Sequence, residues 1–336
     1  MPMNEIEWPT FAGIPEDDAL TIFTRPESQE LARWVWQNGE IREADQTRVH
    51  YYAHALHYGS AVFEGIRAYP TAKGTALFRL GDHIERLLHS ASLYGMTVKF
   101  SDGELTRGAI DVTARNGIDN GYLRPIAFFG AGPIDLKPKV ACPVQVLIAI
   151  RSLGAFLGAN ALRNGIRLTV SSWRKFHHSM MPTMAKASGH YANSVLAAHE
   201  AVDRGFDDAI LLNGDGTVAS ATGMNLFYVR SGRLYTNDQQ SSIVPGITRD
   251  SILVLAHDNG IPVEVRAFTR EELQRADEIF LTGTAAEVTP VRELEAIGYK
   301  TGRDTMGAFL QRAYLRAVLG KDEKHPDWLT YVPNAR

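Results

Sequence analysis

At 336 residues the chain exceeds one average domain, and its 45% hydrophobic content is enough to bury a substantial core, so two domains are expected. A net charge of -3 with 22% charged residues supplies no basic field for a nucleic acid backbone or an anionic membrane surface. One cysteine, Cys142, excludes an internal disulfide, and the start Met1-Pro2-Met3-Asn4-Glu5 lacks the basic and apolar parts of a signal peptide, which predicts the cytoplasm. The longest apolar run, Val144 to Ile150, falls far short of the roughly 20 residues of a membrane helix.

Residues 1–30 hold Pro2, Pro9, Pro15 and Pro26 among acidic residues and read as an irregular arm. From Trp34 onward strand patterns recur, at Leu77-Phe78-Arg79, Tyr122 to Phe129 and Val144 to Ile150. Asp82 with Glu85 makes a capping-box-like pair opening a helix through Leu93. Cys142, beside an apolar strand, reads as a small buried residue rather than a nucleophile. The Gly-rich stretch after Arg151 places a linker at 153–161, dividing a unit over 31–152 from one over 162–336. Beyond it, Ile166 to Trp173, Asp208 to Asn213 and Asn225 to Val229 read as strands, and Gly189 to Arg204 as an amphipathic helix. Turns are expected at Gly214-Asp215-Gly216 and Ser231-Gly232. Thr248 is expected to cap a helix over Arg249 to Asp258 that Gly260 ends, with Ile261 to Phe268 extended. Thr269 with Glu272 makes a second capping box before a strand at Glu278 to Thr282.

Dinucleotide, nucleotide and zinc motifs are missing from the sequence. Asn213-Gly214-Asp215-Gly216 lacks the end carboxylate of a calcium loop and reads as a hairpin. His177-His178, taken as an extended pair, point to opposite sides and predict no metal, leaving them to line a pocket mouth.

The informative stretch is Met184-Ala185-Lys186-Ala187-Ser188-Gly189-His190-Tyr191, one lysine among small residues between a strand and a helix. Most lysines are simply solvated charges. An amine that attacks an aldehyde, however, has to be partly deprotonated and approachable, and small neighbours at a desolvated helix entrance permit both.

Lys186 with Gly189 and Tyr191 resembles the Lys-x-x-Gly-x-Tyr signature of fold-type IV pyridoxal-5′-phosphate (PLP) enzymes, specifically branched-chain aminotransferases. The segment from His54 to Tyr69, Tyr122-Leu123-Arg124-Pro125, Val244 to Asp250 and Thr282 to Pro290 resemble further motifs of that family in the same order. The resemblance spans roughly Trp34 to the C-terminus. It implies an α+β, two-domain architecture: a small α/β domain, and a larger PLP-binding domain with a pseudo-barrel of strands and flanking helices. Lys186 would carry the cofactor as a Schiff base. Arg86, Thr284 and the helix start at Ile247 and Thr248 would hold its phosphate, and Tyr191 would hydrogen-bond its 3′ oxygen. Tyr58, Phe63 and Tyr122 would wall the substrate, Arg124 would pair with the distal carboxylate of glutamate, and backbone N–H groups of the Thr284-Ala285-Ala286 turn would bind the α-carboxylate, with Arg67 tying the pocket together. The resemblance further implies ping-pong exchange between amino acids and 2-oxo acids, and at least a homodimer.

Ser220 stands where the family has a glutamate paired with the protonated pyridine nitrogen. A hydroxyl cannot supply that ion pair, so the ring is a weaker electron sink and removal of the substrate's Cα proton slows. Three explanations stay open: an altered reaction, a degraded or engineered enzyme, or compensation by a carboxylate such as Asp215. Leu153 and Phe156, where relatives often carry Trp and Tyr, and His177 to Met181 in place of a polar loop, predict altered substrate choice that includes (R)-amines. Another fold-type IV reaction is the rival enzyme class, opposed by Tyr122 and Arg124, and a PLP binder without turnover is the non-catalytic rival.

Overall fold

The computed structural model describes residues 32–333, so the arm expected over 1–30 lies outside the described residues. The first sheet collects β1 (Trp34–Gln37), β2 (Glu40–Glu43), β3 (Ala61–Phe63), β4 (Ile66–Thr71), β5 (Gly74–Phe78), β6 (Gly121–Phe129) and β7 (Val144–Ser152), all paired antiparallel. Helices α1 (His54–Tyr58), α2 (Leu80–Leu93) and α3 (Asp102–Asn116) accompany it. The apolar faces of the last two, Ile84 and Leu87 from α2 and Leu105, Ala109 and Val112 from α3, pack with Ile66, Leu123 and Ile148 of the sheet. After the short α4 (Pro138–Ala141) comes β7, and beyond the Gly-rich segment α5 (Ala159–Asn164) leads into the second sheet.

That sheet is mixed and nine-stranded: β8 (Ile166–Arg174), β9 (Asp208–Leu212), β10 (Val218–Ala221), β11 (Asn225–Arg230), β12 (Arg233–Thr236), β13 (Val263–Val265), β14 (Glu278–Gly283), β15 (Glu287–Leu294) and β16 (Ile297–Gly298). Its order is β10-β9-β8-β15-β14-β11-β12-β13, with β8 parallel to both neighbours. Register shifts at β9/β10, β8/β9 and β8/β15 coil it. Helices α6 (Tyr191–Asp203), α7 (Ile247–Asp258), α8 (Arg270–Gln274) and α9 (Met306–Val318) belong to this half.

The last strand, β17 (Leu329–Tyr331), returns to the first sheet and pairs with β5. One buried cluster therefore runs through both halves, joining Tyr69 and Phe78 to Phe227, Phe280, Phe309, Tyr314 and Trp328. That continuous apolar contact fixes the two sheets against each other and so fixes the cleft between them.

Several expectations meet the structure directly. The Thr269/Glu272 capping box forms, Gly260 ends α7 at φ +67, and Cys142 is buried. Helix α2 instead begins at Leu80, because Asp82 accepts from Arg79 Nε at 2.8 Å rather than capping. Helix α7 begins at Ile247 behind Gly246, so Thr248 is a buried first-turn residue and not its cap. His177 and His178 occupy a turn, not an extended segment, and their rings lie 3.7 Å apart on one side; neither lines the cleft. Among the described residues no group of three or more metal-ligating side chains gathers, and no helix is long and apolar enough to cross a membrane.

Candidate active site

Lys186 sits where the two halves meet. Ala185 and Ala187 on either side of it are fully buried in the core of the first sheet, Ala187 through a single bridge to Val62, while the lysine itself lines the cleft. The backbone is held at both ends of the residue: Lys186 N donates to Ser90 Oγ at 3.1 Å, and Phe63 N donates to Lys186 O at 3.0 Å. Gly59 and Gly189 allow this approach. Gly189 N donates to Gly59 O at 3.1 Å, and a Cβ on Gly59 would lie 2.9 Å from Gly189 Cα. The Lys186 amine donates to the Tyr191 hydroxyl at 2.9 Å, while Phe63 packs its ring 4.9 Å from that of Tyr191.

Burial draws the lysine's pKa down, but Tyr191 and Glu64 outweigh it, so the amine stays charged more strongly than an ordinary lysine. The expected partial deprotonation is thus reversed before a cofactor arrives. Part of the reason is local, Tyr191 lying a few positions along the chain, and part is tertiary: Glu64 comes from the connection between β3 and β4 and Tyr122 from β6.

Two cavities meet at Lys186 and Tyr191. The first is lined by Arg86, Tyr191, Ser220, Ile247, Thr248 and Thr284 among others. At one end the free N–H groups of the first turn of α7 face inward beside Arg86. Arg86 is aimed by Glu64, which accepts from its Nε at 2.6 Å and its Nη2 at 2.8 Å, and Nη1 donates to Pro245 O at 2.6 Å. Glu64 is fully buried and also accepts from His83 Nδ1 at 2.7 Å. Burial pushes its carboxyl up, yet Arg86 and His83 hold it well below the usual carboxylate range. Burial in turn pulls His83 below its ordinary pKa.

The second cavity is lined by Phe63, Tyr122, Arg124, Leu153, Phe156, Thr284, Ala285 and Ala286 among others. The Arg124 guanidinium lies 4.5 Å from the centre of the Phe63 ring and 5.4 Å from that of Tyr122. Arg67 is not in the wall but fully buried behind it. It donates from Nη1 to Leu153 O at 2.8 Å and Gly154 O at 3.2 Å, and its Nε lies 3.1 Å from Glu287 Oε1. Glu287, at φ +58 in the turn after Ala286, accepts from Tyr69 OH at 2.6 Å. Burial pushes the Glu287 carboxyl up to about 7 despite Arg67 and Tyr69.

The structure thus brings together Lys186, Arg86, Tyr191, Ser220, Ile247, Thr248, Thr284, Phe63, Tyr122, Arg124, Ala285 and Ala286, with Arg67 in support. Tyr58 does not join them: it is exposed, lines neither cavity, and lies 4.5 Å ring to ring from His54. Asp215 is turned away as well, accepting from Thr217 N and Oγ1 in an exposed turn, so it cannot compensate for Ser220. Sequence reasoning assigned no role to Glu64, Lys175, His190, Asp208 or Glu287. An acidic residue inside an otherwise apolar strand-forming run was the available signal for Glu64, and the same holds for Glu287.

A two-sheet α+β fold whose interface carries a buried lysine, an adjacent tyrosine and a helix start aimed at the same cavity defines a class IV aminotransferase, and the class IV amino-transferase family model matches residues 61–294. The chain belongs to that family: it is an aminotransferase, and its cofactor is pyridoxal 5′-phosphate. It is 40% identical over 301 residues to the branched-chain-amino-acid aminotransferase of Pseudomonas aeruginosa, covering 89% of this chain and 97% of the relative. The crystal structure of the Escherichia coli branched-chain amino acid aminotransferase aligns with a TM-score of 0.87 at 40% identity, covering 90% of this chain and all of the other. That of the branched-chain aminotransferase from the archaeon Thermoproteus uzoniensis with norvaline aligns at 0.85 and 41% identity, covering 89% and 99%. The residues fit the cofactor: an approachable amine for its aldehyde, and a guanidinium, a hydroxyl and a helix start for its phosphate.

Proposed function

We propose that the protein transaminates branched-chain L-amino acids with 2-oxoglutarate as acceptor, Lys186 being its catalytic residue. The observation that carries this reading is the position of the Lys186 amine, 2.9 Å from the Tyr191 hydroxyl, at the junction of a phosphate-type cavity and an aromatic one. Bound pyridoxal 5′-phosphate supplies an aldehyde that captures amines and a ring that withdraws electrons. Arg86, Thr284 and the N–H groups at Ile247 and Thr248 would bind its phosphate, Tyr191 would hold its 3′ oxygen, and Ser220 would lie toward its ring. The Tyr191 hydroxyl accepts from the Lys186 amine at 2.9 Å and so orients it in the cleft. With the cofactor bound, the Lys186 amine, which lines both cavities, would be the group that holds and moves a proton at the substrate Cα.

Phe63 and Tyr122 exclude water around an aliphatic side chain. Backbone groups of Ala285 and Ala286 take the α-carboxylate, and Arg124 takes the distal carboxylate of glutamate. Relatives support the pairing: similar branched-chain aminotransferases were solved with N-(5′-phosphopyridoxyl)-L-glutamate, with 4-methylvaleric acid and with norvaline. Leu153 and Phe156 in the outer wall extend acceptance to (R)-amines; rates favouring leucine over every chiral amine would remove this extension.

The division into 31–152 and 162–336 joined by 153–161, a cytoplasmic location and a homodimer complete the reading. The exposed Tyr51, Tyr52, Leu56 and Tyr58 make the face on which a second copy sits, and a monomer mass in solution would sink that part. Borohydride reduction followed by peptide mass spectrometry tests the whole: a phosphopyridoxyl adduct on Lys186, absent in Lys186→Ala, is expected. Mixing the holoenzyme with L-leucine should change its absorbance in a half-reaction; an adduct without that change leaves a binder and refutes transamination.

A further inference from the structure

The cavity assigned to the cofactor has charged walls of one sign. Arg86, Lys175 and Lys186 line it together with His190, and among the described residues no aspartate or glutamate does. Lys175 N donates to Leu212 O at 2.9 Å, and Ser220 pairs with Leu211, so Lys175 and Ser220 flank the same strand, β9, from its two sides. Both reach the cavity. Ser220 is buried and its hydroxyl donates to Ala221 O at 2.8 Å.

The nearby carboxylates are committed elsewhere. Glu64 lies behind Arg86 and is bound to it and to His83. Asp208 faces the substrate cavity, where its Oδ1 accepts from Ala209 N at 2.7 Å and Thr222 Oγ1 at 2.6 Å, and burial shifts it toward its neutral form. Tyr191 is engaged with Lys186, and His190 shares its Nε2 with Tyr94 OH at 2.9 Å. Burial, with Lys175 beside it, holds His190 near a pKa of about 4, so it is neutral at physiological pH. Burial and Lys186 likewise lower Lys175 to about 8.

A pyridinium is a cation, and removing one from water without a counter-ion disfavours it strongly. We infer that this cavity keeps the cofactor's pyridine nitrogen unprotonated at neutral pH, because Ser220 offers only a hydroxyl and Lys175 adds a cation where a pyridinium requires an anion. The inference rests on the proposed reading of this cavity as the pyridoxal 5′-phosphate site. Its consequence is a weaker electron sink, so that proton transfer by Lys186 carries more of the reaction than it would over a charged ring.

The test reconstitutes the protein with pyridoxal 5′-phosphate labelled with nitrogen-15 in the ring and follows the ring signal by NMR from about pH 6 to 9, the range in which buried amines and imidazoles titrate. Wild type should show the unprotonated shift at neutral pH. Ser220→Glu should move the signal to the protonated position, and Lys175→Met should raise the pH at which the ring titrates above the wild-type value. A protonated ring in the wild type at neutral pH overturns the inference, and a Lys175→Met titration no higher than wild type overturns the part given to Lys175. If Ser220→Glu loses the cofactor, the wild-type spectrum alone decides. Borohydride trapping in parallel separates the two levels: no adduct on Lys186 sinks the site itself, whereas an adduct with a protonated ring sinks only this inference.

Discussion

Glu64→Gln tests whether the arginine at the phosphate end is aimed by its buried carboxylate. Three donors converge on that group: Arg86 Nε at 2.6 Å, Arg86 Nη2 at 2.8 Å and His83 Nδ1 at 2.7 Å. Glutamine keeps the shape but loses the charge, and its amide points hydrogens at one of these donors. Removing one partner of a buried ion pair costs about 3–5 kcal/mol, because the other charge stays behind. For a chain of this size that corresponds to a fall in Tm of roughly 4–7 °C. Arg86 also loses its orientation toward the cofactor phosphate; one charge-assisted hydrogen bond, about 1.5–3 kcal/mol, corresponds to roughly a ten- to hundredfold weaker cofactor Kd. Calorimetry of the apoprotein reads the first effect and absorbance titration with pyridoxal 5′-phosphate the second. An unchanged Tm together with an unchanged Kd would refute the argument, since Arg86 would then need no carboxylate behind it.

Further outcomes follow from the same geometry. Glu287 has a folded pKa near 7 against an ordinary 4.5, so the fold binds more protons than the unfolded chain between these values. Its contribution to stability is fully present below about 4.5 and is lost as pH rises through about 7. Glu287→Gln should flatten that fall in denaturant unfolding measured across the window, and an unchanged slope would assign it to other groups. A Cβ at Gly65 would collide with the Tyr122 hydroxyl, so Gly65→Ala should displace the substrate wall and lower kcat/KM for leucine by roughly tenfold or more. Arg124→Leu should raise KM for glutamate by about tenfold or more while leaving leucine within about twofold; equal losses for both would contradict a distal-carboxylate role. Gly189→Ala brings a Cβ to 3.2 Å from Gly59 O, and reduced cofactor incorporation measured by absorbance should follow.

Local order along the chain was legible wherever the signal was itself local. The strands at Tyr122 to Phe129 and Val144 to Ile150 follow from apolar, β-branched runs, and the Thr269/Glu272 box from a four-residue pattern. Lys186, Gly189 and Tyr191 lie close together in the chain, so the candidate core of the site was legible through the family signature they resemble. The starts of α2 and α7 could not, because Asp82 is drawn to Arg79, and Thr248 is packed into the core.

What the sequence by itself offered, through its resemblance to the family's motifs, is the candidate reactive amine at Lys186, the residue types expected around the phosphate and the substitution at Ser220, since each lies within a short motif. Beyond the local pair of Lys186 and Tyr191, tertiary structure decided the electrostatics. Glu64 meets Arg86 across 22 positions, Tyr69 meets Glu287 across 218, and Lys175 and Ser220 come together only because β9 runs between them. Charges act through space in a medium of low dielectric, where proximity and burial set their strength and separation along the chain sets nothing.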